Sequence, residues 1–100
     1  MSQQTVQLEK KQAKGHVIPI GSVNLVMVIT DSGMVGCGAF DVMALDNFNY
    51  PAACVKPPQG KTSVATVDDL LQGEIKKVNA HAEQRGITLG MSGREALNLL

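Results

Sequence analysis

From Thr5 to Glu9 polar and apolar residues alternate, with Val6 and Leu8 at the apolar positions, and a period of two predicts a half-buried strand. A lysine-rich turn follows and is read as ending at Gly15. His16 to Ile20 is a short apolar piece interrupted by Pro19, which has no N–H to give a ladder, so it reads as an edge strand or an extended connection. Val23 to Thr30 is a nearly unbroken apolar, β-branched run and predicts a central strand covered on both faces. Asp31-Ser32-Gly33 supplies turn residues, so Met34 to Cys37 is expected to return antiparallel as a hairpin. Ala39 to Asn47 spaces Phe40, Met43, Ala44 and Phe48 by three and four, as an amphipathic helix does, and Tyr50-Pro51 ends it.

Ala52 to Lys56 predicts another short strand, and Pro57 to Lys61 an exposed loop. Thr66 stands three residues before Asp69, the spacing of a helix cap. Val67, Leu70, Leu71, Ile75, Val78 and Ala82 then form one stripe, which predicts a long helix ending near Arg85-Gly86. A brief strand from Ile87 to Leu89 is expected next. Ser92, with Glu95 at the third position, caps a last helix holding Ala96, Leu97 and Leu100. Together these elements predict an α+β fold: a small, mostly antiparallel or mixed sheet with three helices packed mainly on one face.

Composition narrows the class of function. Forty-four per cent hydrophobic and 18% charged residues describe a folding chain and not a disordered one. Nine basic residues balance nine acidic ones, so there is no electrostatic footprint for nucleic acid. The only three aromatics, Phe40, Phe48 and Tyr50, offer no extended stacking platform. The polar N-terminal stretch reads as neither signal peptide nor anchor, and no apolar run approaches the roughly 20 residues of a membrane helix. The expectation is a cytoplasmic protein with no membrane or nucleic-acid partner. Cys37 and Cys54, in apolar surroundings, suit reduced thiols.

Candidate chemistry concentrates in two segments. In the first, Gly36, Cys37 and Gly38 precede a predicted helix, where unpaired amides form an anion site and a nearby thiol is favoured as thiolate. Tight turning and close packing are the structural alternative for the glycines, and a buried small hydrophobe the alternative for Cys37. Asp41 reads as an acid or base, or as a carboxylate suited to a helix start. In the second segment Arg94 follows the Ser92 cap and Gly93, and a cation there opposes the helix dipole. It is read as a ligand contact, an ion-pair partner or a solvated side chain. His16, His81 and Cys54 are weaker candidates, and no spacing of His, Cys, Asp and Glu specifies a metal site.

Gly36-Cys37-Gly38-Ala39-Phe40-Asp41 and Gly90-Met91-Ser92-Gly93-Arg94-Glu95-Ala96-Leu97 resemble segments of the small bacterial and archaeal YunC-like family, a domain of unknown function. The resemblance runs from about Gly15 to Leu100. It implies the family's compact α+β fold for residues 15–100, with 1–14 as an N-terminal strand and polar lead-in. It implies no established activity, substrate or cofactor, and points to Cys37, Gly38, Gly90, Ser92, Gly93 and Arg94. The function expected from the residues is a homo-oligomeric binding or regulatory protein for a small anionic ligand, held where the Cys37 turn meets the Arg94 helix start. The alternatives are a small enzyme with Cys37 as nucleophile, aided by His81, His16 or Asp41, and a purely structural assembly protein.

Overall fold

The computed structural model describes residues 2–100. Six strands form one sheet in chain order: β1 (Ser2–Gln7), β2 (Gln12–Ile20), β3 (Val23–Ile29), β4 (Met34–Gly36), β5 (Ala52–Lys56) and β6 (Glu74–Val78). Every neighbouring pair is antiparallel except β4 and β5, which run parallel. The parallel step needs a crossover, and α1 (Val42–Asp46) lies in it. Three further short helices follow: α2 (Val67–Gln72), α3 (Ala80–Glu83) and α4 (Gly93–Asn98). The α+β mixed sheet is as expected, with four helices in place of three.

Strand alternation divides the interior into two layers. Val26, Val28, Val35, Ala53 and Val55 face one side, where Leu70, Leu97 and Leu100 complete the larger core. Met34, Ala52 and Cys54 face the other, covered by Val42 of α1. On that second side β2 and β3 show half-buried Ile18, Met27 and Ile29, with Ile20 and Val23 exposed. The β3–β4 hairpin forms as expected. Its turn is fixed by Thr30, whose hydroxyl accepts the Ser32 and Gly33 amides, each at 3.1 Å.

Five expectations are corrected. The first turn is complete before Gln12, so Gly15 sits inside β2, opposite Val28. Pro19 is tolerated in β2 because the described register of β1 reaches no further than Val17, which leaves position 19 paired to β3 alone. The helix expected from Ala39 begins only at Val42, because residues 37–40 turn first, with the Phe40 amide on the Cys37 carbonyl, and Asp41 is the N-cap. Val42 is therefore the inward residue, and Met43 and Phe48 are exposed. The long helix stops at Gln72 and the chain continues as β6 and then α3. Residues 87–89 form no strand; the buried Ile87 anchors the segment, its amide on the Ala82 carbonyl at 3.3 Å.

Both capping boxes form. Thr66 and Asp69 exchange side-chain and backbone bonds at the start of α2, and Ser92 and Glu95 do so at α4. No helix is long and apolar enough to cross a membrane among the described residues.

Candidate functional site

The β5–β6 ladder carries the irregularity that builds the site. Cys54 pairs with Lys77 and Val55 with Ile75, so Lys76 is an extra residue with no partner opposite. Such a bulge re-aims a side chain. Lys76 turns over the end of β4, and its ammonium lies 2.7 Å from where a Cβ of residue 38 would stand. Glycine at 38 is thus what leaves room for the cation. Lys76 makes no ion pair among the described residues.

Beside it, the Cys37 N–H donates to the Val26 carbonyl at 3.0 Å and extends β4 by one residue. The Cys37 side chain lines a cleft of about 270 Å³, with Lys76, Gly38 and Ala39 on the rim and Leu25, Val55 and Val64 among its walls. The amides of Gly38 and Ala39, both exposed, donate to no carbonyl among the described residues. The cleft therefore brings together a cation, two residues whose amides have no carbonyl partner among the described residues, and apolar side chains. Cys37 is itself buried, at 7% exposure, and Cys54 does not line this cleft. It is fully buried, and its thiol donates to the Phe40 carbonyl at 3.4 Å. Burial pushes its pKa up and the nearby Cys37 pushes it further, while Lys76 and Lys77 pull the other way.

The other predicted residues lie apart from this cleft. Gly36 is buried, and a Cβ there would meet the Phe40 ring at 2.5 Å. The Asp41 carboxylate accepts the Ala44 amide at 3.0 Å, so it caps α1. Cys37 stands four residues before that cap and takes nothing from a helix start. At α4, the Ser92 amide is bound by Glu95 at 2.9 Å and the Gly93 amide by the Gly73 carbonyl at 3.0 Å. Arg94 Nη1 donates to the Gln7 carbonyl at 3.0 Å, which accounts for a cation placed against the helix dipole.

Cys37 bonds to Val26, which lies level with Val17 and Ser2 across the sheet. Gln7 is five residues further along β1, three strands away. Strand rise and spacing then put the Arg94 guanidinium on the order of 20 Å from Cys37. The pocket expected between the two segments does not form.

Comparison with known proteins places the chain in a family. The sequence profile of a domain of unknown function, DUF1805, matches residues 36–100. The uncharacterized protein YunC of Bacillus subtilis (strain 168) is 33% identical over 93 residues, covering 92% of this chain and 89% of that protein. The chain belongs to the DUF1805 family. The crystal structure of a protein of unknown function, TA1206 from Thermoplasma acidophilum, superposes with a TM-score of 0.84 at 18% identity, covering 97% of this chain and 89% of that one. That likeness shows a shared fold. Within this DUF1805 chain, Cys37, Gly38 and Lys76 fall inside the matched span, and Leu25 of the cleft wall precedes it.

Of two polar clusters in the DUF1805 span, the sequence singled out only His81, and without its partner. Asp46 Oδ1 lies 2.6 Å from His81 Nδ1 and also accepts the His81 amide at 3.1 Å, which ties the end of α1 to the start of α3. The hydrogen bond from the His81 ring, followed by that from its amide, holds the Asp46 carboxyl below the usual range. The second cluster is the fully buried Asn79, which caps α3 and bonds four backbone groups. Among the described residues, no three His, Cys, Asp or Glu gather as a metal site.

Proposed function

We propose that the protein binds a small anionic ligand in the cleft at the end of β4, with Lys76 as the cation and the Gly38 and Ala39 amides as hydrogen-bond donors. The observation that carries this reading is the bulged Lys76, held over a side-chain-free position with no carboxylate within ion-pair distance. Convergent polar groups at the mouth of an apolar cleft are the ordinary form of a ligand site. Titration with sodium acetate, followed by amide NMR, tests it. Saturable shifts at Gly38 and Ala39 are expected, and Lys76→Gln weakens binding about fivefold, the effect of losing roughly 1 kcal/mol from an exposed charge contact. Shifts that do not saturate, or equal affinity in the variant, refute the reading.

The Cys37 side chain on the wall of the same cleft favours a second reading, an enzyme using Cys37 as nucleophile. The same samples address it. Iodoacetamide should label Cys37 in the folded protein and leave Cys54 untouched, with labelling slowed as acetate fills the cleft. Absence of Cys37 labelling removes this second reading.

The half-covered outer face of β2 and β3 supports a homo-oligomer, because a monomer exposes a contiguous apolar surface there. Light scattering at high concentration should show more than one copy, and a monomer refutes it. Two buried free thiols fit the reducing cytoplasm.

A further inference from the structure

Lys76 borders two cavities. On its far side from Cys37 lies a groove of about 370 Å³, whose apolar lining is Met43, Val78 and Leu89. Met43 is 57% exposed and Leu89 64%, two large apolar side chains open to solvent in one groove. Their neighbours are Lys76, Lys77 and a single carboxylate, Glu83. Neither lysine makes an ion pair among the described residues. The groove therefore combines three apolar side chains with a net positive charge, and it shares Lys76 with the cleft.

We infer that the ligand is an acidic amphiphile, a carboxylic acid with a hydrocarbon body, whose head lies between Lys76 and the Gly38–Ala39 amides and whose body runs over Val78 between Met43 and Leu89. This inference rests on the anionic-ligand reading above and names the class of ligand. The charge pattern selects it. A cation without a carboxylate partner at the junction fits an acid head group, and an apolar strip leading away from that cation fits a hydrocarbon. The groove, at about 370 Å³, lies within the roughly 300–1,000 Å³ that ligand sites span, and the cleft, at about 270 Å³, lies just below it; the two share Lys76 in their lining.

Sodium octanoate and sodium acetate, titrated separately and followed by amide NMR, distinguish the two levels of the proposal. Octanoate is expected to bind at least tenfold more tightly than acetate and to shift the amides of Val78 and Leu89 as well as Gly38. In Leu89→Gln, a neutral change at a position 64% exposed, that advantage should fall to within about twofold, with acetate affinity unchanged. Equal affinities for the two anions would overturn the amphiphile and leave the anion site standing. No saturable binding of either anion overturns both. If Leu89→Gln instead turns a dimer into a monomer by light scattering, a second copy fills the groove and the inference falls.

Discussion

Asn79→Ala is expected to destabilise the fold by about 4 kcal/mol, a large part of the 5–15 kcal/mol that holds a domain of this size. The side chain is fully buried, and its hydrogen-bonding capacity is used in full. Its Oδ1 accepts the amides of Ala52 at 3.2 Å and Ala82 at 2.9 Å. Its Nδ2 donates to the carbonyls of Val42 at 2.9 Å and Tyr50 at 2.8 Å. One residue thus joins the starts of α1, β5 and α3. Alanine leaves those four backbone groups without it, and each unsatisfied buried group costs about 1–3 kcal/mol, less whatever water the cavity admits. Urea denaturation measures the difference from the shift in midpoint at constant slope. A loss below about 1 kcal/mol would show that the four groups find other partners and that Asn79 is not the hub of this end of the molecule.

That hub illustrates what the sequence withholds. Features whose partners lie within a few residues are legible: the Asp31-Ser32-Gly33 hairpin, the β5 run and the two capping boxes all appear where local chemistry places them. Asn79 reaches partners 27, 29 and 37 residues away, and Asp46 meets His81 across 35. No local pattern marks such pairs. The family, by contrast, was legible from two short glycine-bearing segments.

The misread helix has a more specific cause. In a regular strand, residues on one face are two apart, so Ile75 and Val78, three apart, look helical. The bulge at Lys76 inserts one residue between them and returns both to the same face, Ile75 opposite Val55 and Val78 opposite Ala53. One extra residue in a strand therefore counterfeits the helical period. The same residue is the cation of the proposed site, so the error of secondary structure and the oversight of Lys76 have one origin. Cys37 was singled out for its position before a helix, and in the proposed site it counts for another reason, its place in the cleft beside Lys76. Arg94, which breaks the dipole rule, proves to hold the end of β1.

Gly93→Ala should destabilise the protein by about 3 kcal/mol, although alanine is the better helix former by about 1 kcal/mol. The sign decides between local propensity and packing. Gly93 is the first residue of α4 and is buried against the backbone of α2. A Cβ there would lie 2.1 Å from the Leu70 carbonyl oxygen and 3.4 Å from the Leu71 Cα. Backbone atoms cannot swing aside as a flexible side chain does, so the two helices must separate. Separation stretches the 3.0 Å bond from the Gly93 amide to the Gly73 carbonyl, worth about 1 kcal/mol. It also loosens Leu70 and Leu97, which are fully buried in the larger core, and overpacking of this kind costs about 1–3 kcal/mol. For a chain of this length the melting temperature should fall by more than about 10 °C. A variant as stable as the parent, or more stable, would mean that α2 and α4 are free to move apart, and the close backbone contact would then contribute nothing to holding α4 on the sheet.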